Sequence, residues 1–404
     1  MSSLHGAPAN TAGEKYRIFI STGEVSGDLQ GAILIDALHQ VAAKRGIDLE
    51  ICALGGERMA RAGAKLLGET TTIGSVGVFE AIPYILPTLR LQGQAQQALD
   101  DNPPDLAVLI DYMGPNMKIG QHLRERFPQV PVVYYIAPQQ WVWAFSKKDT
   151  ERMVRNCDRM VAIFQAEADY FRSFGANVTW VGHPLVDRYP TPADTQSARR
   201  ALGLAPEGPV VTLLPASRRQ ELKYLMPRLM AAARLLQDRD PNLQFLVPVT
   251  SSQFQPAIEA ALKRHQLRGQ VVADKPQDAI AAADVAITKS GTANLEIALM
   301  NIPQVVAYRL NPISAWLVYY LLKFKISFAS PVNLAVNTEI VPEFLQWQVT
   351  PEALADAAWD LLTNPASRQT MLDHYQDLRH ALGTPGVAPR AAAEILDSLP
   401  GGKP

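Results

Sequence analysis

Residues 20–32, ISTGEVSGDLQGA, follow an apolar run near the start of the chain. This order predicts a β-strand, a turn spaced by Gly23, Gly27 and Gly31, and then a helix, which together form the first unit of an α/β fold. Many nucleotide-binding domains begin in this way. However, the segment lacks the Lys-Ser/Thr pair of a P-loop and the closer glycine spacing of a dinucleotide-binding loop, and Glu24 is an unfavourable neighbour for a pyrophosphate. The stretch therefore predicts the fold and leaves the ligand of its loop open.

Short apolar segments alternate with helical segments along the chain, which predicts parallel sheets covered by helices on both faces. The first half has the segments RIFIST, LEICALGG, DLAVLID, VPVVYYIAP, DRMVAIF and VTWVG, and the second half has VVTLLPASR, LQFLVPVT, VVAD, DVAITKSGT and PQVVAYR. We therefore predict two doubly wound, Rossmann-like domains, followed by helices after Pro351. The proline-rich segment 189–208 is the best candidate for a linker. The predicted divisions are a tail at 1–15, a first domain at 16–188, the linker, a second domain at 209–365 and C-terminal helices at 366–404.

The composition excludes several classes of protein. The 404-residue chain has a formal net charge of −1, so no basic excess points to nucleic acid. Cys52 and Cys157 form neither a disulfide pattern nor a metal-ligand spacing, which fits a reducing cytosol. Residues 1–15 lack the basic and apolar regions of a signal peptide. No segment reaches the ~20 apolar residues of a membrane span.

Candidate catalytic groups in the first half follow two predicted strands. Asp111 ends DLAVLID, and the carboxyl end of a parallel strand is where catalytic groups usually lie. It either acts as a general base on a hydroxyl nucleophile or caps the turn that follows. In the opening loop, Glu24, Ser26 and Asp28 predict contact with a polyhydroxylated or acylated acceptor. The alternative is that Ser26 or Asp28 caps the helix.

The second half contains two turns that suit phosphate groups. In LLPASRRQE, Ser217 and free backbone N–H groups open a helix, and Arg218 can bind a diphosphate through two parallel hydrogen bonds. The second turn lies in KSGTANLE, where the residues that open the helix are Ser290, Gly291 and Thr292. Glu296, one turn further on, either accepts hydrogen bonds from ribose hydroxyls or simply favours the helix dipole.

Three other patterns are weaker. DRD at 238–240 resembles a metal-binding triplet, but it precedes a proline at a helix end and predicts a solvated turn. His183 in VGHPLVD either serves a cleft or is a structural histidine at a domain hinge. Trp141 and Trp143 predict packing rather than a stacking platform.

Two apolar segments predict a surface that meets lipid. Residues 313–329, ISAWLVYYLLKFKISFA, place aromatic side chains beside Lys323 and Lys325, as in segments that lie on a bilayer. Residues 73–89 are similarly apolar. The alternative for the segment 313–329 is a buried helix of the second domain. The side chains expected to contact membrane or acyl chains are Val78, Phe79, Trp316, Tyr319, Tyr320 and Phe324.

Eight motifs occur in a characteristic order: TGEVSGDLQGA, LGGERMARAG, IGSVGVFEAI, YIAPQQWVWA, VGHPLVD, LLPASRRQE, KSGTANLE and SPVNL. In these motifs the chain resembles the lipid-A-disaccharide synthases, in their cyanobacterial form, over almost its whole length. The resemblance implies a GT-B glycosyltransferase of family 19 with two domains facing a cleft. It implies an inverting enzyme that needs no metal or other cofactor.

The resemblance also implies the reaction and its setting. Such enzymes transfer 2,3-diacylglucosamine from UDP-2,3-diacylglucosamine to the 6-hydroxyl of 2,3-diacylglucosamine 1-phosphate (lipid X). The family associates peripherally with the cytoplasmic face of the inner membrane, where both lipid substrates lie. Its C-terminal helices return to the first domain, which we expect here after about residue 366. The oligomeric state, monomer or homodimer, stays open.

Roles carry over by position. Asp111 matches the family's proposed general base, and Glu24 and Ser26 match its acceptor-side loop, which leaves open which carboxylate takes the proton. Arg218 matches the arginine taken to bind the UDP diphosphate. The residues that match the nucleotide loop are Ser290, Gly291, Thr292 and Glu296, and a functional asparagine is matched by Asn333 in SPVNL. The first loop then faces the acceptor, and the nucleotide belongs to the second domain.

Two departures from the family pattern stand out. Many members read Asp-x-Pro-Asp-Phe-Asn where this chain reads DYMGPN, so that Gly114 and Pro115 intervene and the second Asp is missing. Ala216 stands where many members carry Gly in the diphosphate turn. The competing hypotheses are another GT-B UDP-sugar enzyme, of the muramyl-pentapeptide glucosaminyltransferase or UDP-N-acetylglucosamine 2-epimerase type, and a non-catalytic protein that binds acylated sugars.

Overall fold

The computed structural model describes residues 14–23, 25–71, 85–142, 146–204, 208–216, 219–249, 252–311 and 328–400. The chain forms two compact α/β units. Unit 1 comprises Met1–Gly182 together with Gly386–Pro404, and unit 2 comprises His183–Pro385. The prediction of two doubly wound parallel-sheet domains is confirmed.

The described part of unit 1 contains a seven-stranded parallel sheet in the order β3-β2-β1-β4-β5-β6-β7. The strands are β1 (Lys15–Ser21), β2 (Asp48–Gly55), β3 (Lys65–Glu69), β4 (Leu106–Ile110), β5 (Val132–Tyr135), β6 (Arg159–Ala162) and β7 (Val178–Trp180). The helices between them are α1 (Val25–Arg45), α2 (Glu57–Arg61), α3 (Ile85–Asp101), α4 (Met113–Arg126), α5 (Lys147–Arg155) and α6 (Gln165–Ser173).

Burial explains why most of these strands are visible in the sequence. Every residue of the central strand β4 is buried, because helices cover both faces, so its sequence LAVLI is apolar without alternation. β3, which was not predicted, is an edge strand in which no residue is fully buried. Its sequence KLLGE therefore carries no long apolar run.

Unit 2 begins with α7 (Leu185–Arg188) and α8 (Thr195–Ala201), and its described residues form a six-stranded parallel sheet in the order β10-β9-β8-β11-β12-β13. Its strands are β8 (Val210–Leu214), β9 (Gln244–Pro248), β10 (Gly269–Val272), β11 (Val285–Lys289), β12 (Gln304–Tyr308) and β13 (Glu343–Leu345). Its further helices are α9 (Arg219–Tyr224), α10 (Met226–Arg239), α11 (Gln255–Arg264), α12 (Pro276–Ala281), α13 (Ala293–Leu299), α14 (Pro331–Val336), α15 (Pro351–Thr363) and α16 (Pro365–Leu382). The short edge strand β13 was not predicted.

The last helix, α17 (Val387–Leu396), returns to unit 1, where it packs against α1 and β6. The Arg45 guanidinium lies 2.7 Å from the Asp397 carboxylate, and Arg159 pairs with Glu394. The predicted return of C-terminal helices is thus confirmed for α17. The units divide at residues 182/183 and 385/386, so α16 and the segment 189–208, which contains α8, belong to unit 2.

Within the described ranges, no helix is long and apolar enough to cross a membrane.

Candidate functional site

Asp111 follows β4 directly, at the carboxyl edge of the unit 1 sheet. Its backbone is left-handed, with φ of 47°, and the next residue, Tyr112, has φ of 51°. Non-glycine residues adopt this conformation rarely, and such strain persists only where the surroundings fix it. The Asp111 backbone N–H donates to the carbonyl of Ile136, at 2.9 Å, at the end of the neighbouring strand β5. The predicted catalytic carboxylate therefore sits on a turn whose backbone conformation is imposed.

Asn116 fixes the other side of this turn. The side chain is completely buried, and its Nδ2 lies 2.7 Å from the Asp111 carbonyl oxygen and 3.0 Å from that of Ile110. Its Oδ1 accepts from the Ser21 hydroxyl, at 2.7 Å, at the end of β1. Asn116 thereby ties together the ends of two strands. Asn116 was not among the predicted residues, although it is the last residue of the DYMGPN segment.

The opening loop lies against the same turn. A Cβ atom on Gly23 would come within 1.9 Å of the Tyr112 ring, so only glycine permits this approach. Ser26 is exposed near the start of α1, so burial does not prevent contact with a ligand. Glu24 lies outside the described residues.

Asp28 serves the fold, but not by capping its own helix. Its carboxylate is buried and accepts from the backbone N–H groups of Gly56, Met59 and Arg58, at 2.8, 3.2 and 3.3 Å. These groups form the N-terminus of α2, whose first N–H donors have no partner within the helix. Asp28 thus joins α1 to α2, a contact that the sequence pattern alone did not indicate.

A second carboxylate near Asp111 comes from α6. Glu167 is buried, and its Oε1 accepts from the Ala137 backbone N–H at 2.8 Å. Its Oε2 accepts from the N–H groups of Ile163 and Phe164, at 2.9 and 3.2 Å. Burial raises the pKa of Glu167 to about 7, and the negative charge of Asp111 adds to the rise, whereas the three backbone donors lower it. Glu167 was not among the predicted residues, because a Glu in the first turn of a helix is usually exposed.

In unit 2, Ser290, Gly291 and Thr292 follow β11 and lead into α13, as predicted. The Ser290 hydroxyl donates to the Ala329 carbonyl at 2.7 Å, and the Gly291 N–H donates to Asn294 Oδ1 at 2.8 Å. A Cβ atom on Gly291 would lie 2.9 Å from Lys289 Nζ. Thr292 is exposed. The loop therefore has backbone and side-chain hydrogen bonds that fix it, and an exposed threonine at its end.

Glu296 lies one turn into α13, where its Oε2 accepts from the Tyr189 hydroxyl at 3.0 Å. Burial raises the pKa of Glu296, and the nearby charge of Arg188 and the hydrogen bond from Tyr189 lower it. Tyr189 is a further residue at this site that was not among the predicted residues. The local sequence does not indicate this contact, because Tyr189 and Glu296 are far apart in the chain.

Asn333 has a structural role. Its side chain is completely buried, and Oδ1 accepts from the N–H groups of Ile340 and Val341, at 2.9 and 3.0 Å. Its Nδ2 donates to the Val341 carbonyl at 3.0 Å and to Glu343 Oε2 at 3.1 Å. These four bonds use the full capacity of an amide. Asn333, expected to contact UDP, thus shapes the connection between α14 and β13.

Lys289, whose ammonium group lies near the predicted nucleotide loop, was not among the predicted residues. Lys289 Nζ lies 3.8 Å from the Glu221 carboxylate in α9, and both side chains are largely buried. Glu221 follows the predicted diphosphate turn, in which Ser217 and Arg218 lie outside the described residues. The same holds for all the predicted membrane and acyl contacts: Val78, Phe79, Trp316, Tyr319, Tyr320 and Phe324.

The weaker candidates resolve to structural roles. His183 is buried, its Nδ1 accepts from the Leu185 N–H at 3.2 Å, and burial lowers its pKa to about 3. The sequence DRD closes α10, and Asp240 accepts from the Asn242 N–H at 2.9 Å in the turn that follows. Trp141 packs against Phe164, with ring centroids 5.4 Å apart. Among the described residues, no group of three or more His, Cys, Asp or Glu side chains could hold a metal ion.

Comparison with known proteins shows to which family the chain belongs. A family model described as lipid-A-disaccharide synthetase matches residues 18–393. The chain belongs to this family. The lipid-A-disaccharide synthase of Gloeothece citriformis is 52% identical over 381 residues, which are 94% of this chain and 99% of the relative. That of Prochlorococcus marinus is 49% identical over 386 residues, which are 94% and 98% of the two chains.

Solved structures of low identity share the fold. A putative UDP-N-acetylglucosamine 2-epimerase from Listeria monocytogenes is 14% identical, with a TM-score of 0.66 over 95% of this chain and 96% of that one. A glycotransferase of kitacinnamycin is 16% identical, with a TM-score of 0.62 over 96% and 100% of the two chains. At these identities they establish the fold alone, which is the GT-B fold expected of a lipid-A-disaccharide synthase.

A lack of space for a side chain does not explain why DYMGPN departs from the family pattern. Gly114, at the position of the missing second Asp, is exposed, and no heavy atom lies within 4 Å of a Cβ built there. Asn116 occupies the position where the pattern of lipid-A-disaccharide synthases ends in Asn. The segment therefore keeps both Asp111 and Asn116, the residue whose side chain holds the Asp111 turn.

Proposed function

We propose that this protein is the inverting glycosyltransferase that joins two acylated glucosamine units in lipid A biosynthesis. The donor is UDP-2,3-diacylglucosamine, and the acceptor is the 6-hydroxyl of 2,3-diacylglucosamine 1-phosphate. The products are the β-1,6-linked disaccharide 1-phosphate and UDP. Membership of the lipid-A-disaccharide synthase family supports this reaction. The structural observation that carries it is the carboxylate-bearing turn at Asp111, held by Asn116 and the Ile136 carbonyl.

Asp111 acts as the general base. Its carboxylate takes the proton of the acceptor 6-hydroxyl as that oxygen bonds to C1 of the donor sugar. The bond from C1 to the diphosphate oxygen breaks on the opposite face, so the configuration inverts and UDP leaves with the electron pair. Such proton transfer contributes roughly 10²–10⁴-fold to the rate. Ser26 and Glu24 are proposed to contact the acceptor, and Glu24 is the alternative base.

The nucleotide is proposed to bind in unit 2. Glu296, oriented by Tyr189, accepts hydrogen bonds from the ribose hydroxyls. The turn of Ser217 and Arg218 and the exposed hydroxyl of Thr292 receive the diphosphate. Lys289 supplies a further positive charge beside Gly291, and Glu221 holds it in place. The charge that develops on the departing UDP is stabilised by these cations and by helix N-terminal N–H groups.

Both lipid substrates require access to a bilayer, and we propose peripheral association with the cytoplasmic face of the inner membrane. At the start of α3, next to residues 72–84, the side chains of Leu86 and Leu89 are 66% and 44% exposed. Exposed leucines beside an apolar segment suit insertion at the level of the lipid headgroups. Replacing both leucines by serine is expected to weaken binding to anionic vesicles in flotation assays, with the Trp347→Ser variant, which alters another exposed apolar residue, as control.

Transfer is tested with purified protein in detergent micelles, by following UDP release and the mass of the lipid product. We expect equal amounts of UDP and of tetra-acyl disaccharide 1-phosphate. UDP release without a disaccharide, or conversion of UDP-N-acetylglucosamine by an epimerase reaction, would contradict the proposal. Absence of both products across several acyl lengths would favour a protein that only binds acylated sugars.

The residue roles are tested separately. Asp111→Asn is expected to lower kcat by about 10²–10⁴-fold while UDP affinity stays unchanged, since a base acts in the transition state. Arg218→Ala is expected to weaken UDP binding by roughly 1.5–3 kcal/mol, the range for a hydrogen bond to a charged group. Calorimetric titration with UDP measures both affinities. Loss of UDP binding in Asp111→Asn, or unchanged binding in Arg218→Ala, would remove that residue from its role.

A further inference from the structure

The peptide group between Ile136 and Ala137 connects Glu167 to Asp111. Its N–H end donates to Glu167 Oε1 at 2.8 Å, and its carbonyl end accepts from the Asp111 backbone N–H at 2.9 Å. One planar group thus carries both contacts, and because a peptide is rigid, the orientation of one end determines that of the other. Glu167 therefore has a direct mechanical path to the turn that bears Asp111.

The backbone next to this peptide has an unfavourable conformation. Ile136 has φ of 59°, which for a β-branched residue is a genuine outlier. Strain of this kind costs on the order of 1–3 kcal/mol, so the surroundings must compensate for it. The carboxylate of Glu167 is among the compensating groups, because it is buried and aims one oxygen at the Ala137 N–H. Its other oxygen binds two N–H groups at the end of β6, which fixes the carboxylate itself.

We propose that Glu167 is a positioning residue for the proposed reaction, holding Asp111 in place through the Ile136–Ala137 peptide. The inference rests on the proposed role of Asp111 as base. Glu167 does not touch the substrates in this scheme. It holds three adjacent strand ends, those of β4, β5 and β6, in register at the edge where the proton is taken.

The test compares Glu167→Gln with Asp158→Asn by steady-state kinetics, well below the melting temperature. Gln matches the size of Glu but has only one acceptor oxygen, so its NH₂ group faces either the Ala137 N–H or the two N–H groups at the end of β6, and one of the two sides of the anchor is lost. Asp158 is the matched control, since its carboxylate accepts from the Val132 N–H at 2.8 Å at the opposite, amino end of β5. We expect Glu167→Gln to lower kcat by about 10²-fold, the cost of a misplacement of about 1 Å, with little change in KM or UDP affinity. Asp158→Asn is expected to lower only the melting temperature.

A double variant separates positioning from a merely structural role. If Glu167 acts through Asp111, adding Glu167→Gln to Asp111→Asn lowers the residual kcat by far less than it does in the wild type. An equal further loss, or an unchanged kcat in Glu167→Gln alone, overturns the inference while the assignment of Asp111 stands. Full turnover in Asp111→Asn overturns both.

A second variant covers the case in which Glu167→Gln does not fold. Glu167→Asp keeps the charge but withdraws the carboxylate by one methylene from the Ala137 N–H. It is expected to fold with a cooperative melting transition and to lower kcat by about 10-fold or more. A kcat equal to that of the wild type overturns the inference.

Discussion

At the scale of single residues, polar side chains in motifs divide between chemistry and architecture. Asp111 is partly buried and Thr292 is exposed, and both are proposed to contact substrates, whereas Asn333 and Asp28 use their hydrogen-bonding capacity on backbone groups. Both kinds look alike in the sequence, because Asp and Asn suit turns, caps and active sites equally. Only the partners of a side chain, which come from distant segments, distinguish the two roles.

Asn333→Ala tests the architectural role. The substitution leaves the buried N–H groups of Ile340 and Val341 without their acceptor, and each such group costs roughly 1–3 kcal/mol. We expect the free energy of unfolding to fall by at least about 2 kcal/mol, measured by urea denaturation. A variant with unchanged stability but lost UDP affinity would instead show that Asn333 contacts the nucleotide.

At the scale of elements, the two turns at the carboxyl ends of β1 and β4 form one packed unit through Gly23 and the Tyr112 ring. Gly23→Ala would force the ring to move, because the added Cβ would lie within 1.9–2.2 Å of three of its atoms. Since Tyr112 is the second left-handed residue of the turn that bears Asp111, the proposed base, we expect kcat to fall by about 10-fold with unchanged UDP affinity.

The matched control is Gly93→Ala in α3, where nothing lies within 4 Å of the added Cβ. This variant is expected to keep full turnover and to gain slightly in helix stability. If the two variants behave alike in kinetic assays, the contact between Gly23 and Tyr112 has no role in turnover.

The strands also show which parts of the fold and of the candidate site the sequence could predict. Central strands such as β4 are recognisable because burial on both faces requires an unbroken apolar run, and Asp111 could be selected because it ends such a run. The edge strands β3 and β13 lack that requirement and were missed. Glu167, Asn116 and Tyr189 were missed for another reason: their roles depend on contacts between strand ends and helices that are distant in sequence.

At the scale of the whole molecule, the chain passes between the units twice, and His183 begins the second unit. Its backbone N–H donates to the Leu382 carbonyl at 2.7 Å, near the point where the chain leaves unit 2. On the unit 1 side, the Arg390 guanidinium donates to the Val181 carbonyl at 2.9 Å. The two crossing segments are therefore joined by hydrogen bonds on both sides of the division, one within unit 2 and one within unit 1.

His183 makes the stability depend on pH. Burial lowers its pKa to about 3, whereas the unfolded chain has the ordinary value of about 6.5. Between these values the unfolded state binds the extra proton, so stability falls as the pH drops below about 6.5, by about 2 kcal/mol at about pH 5. His183→Asn, in which an amide oxygen can replace Nδ1 as acceptor, should lose this part of the pH dependence in urea titrations. The control His380→Asn, at an exposed position of α16, should retain it.

The return of α17 to unit 1 has a consequence for the order of events on the ribosome. Unit 2 is continuous in sequence and is complete when residue 385 has left the exit tunnel, whereas unit 1 still lacks the helix that covers α1 and β6. Of these two units, the one whose translation begins first is thus the last to be finished, and until then it exposes an apolar face on which nascent-chain chaperones can act. Pulse proteolysis of chains arrested before and after α17 should show protection of unit 1 only in the longer chain.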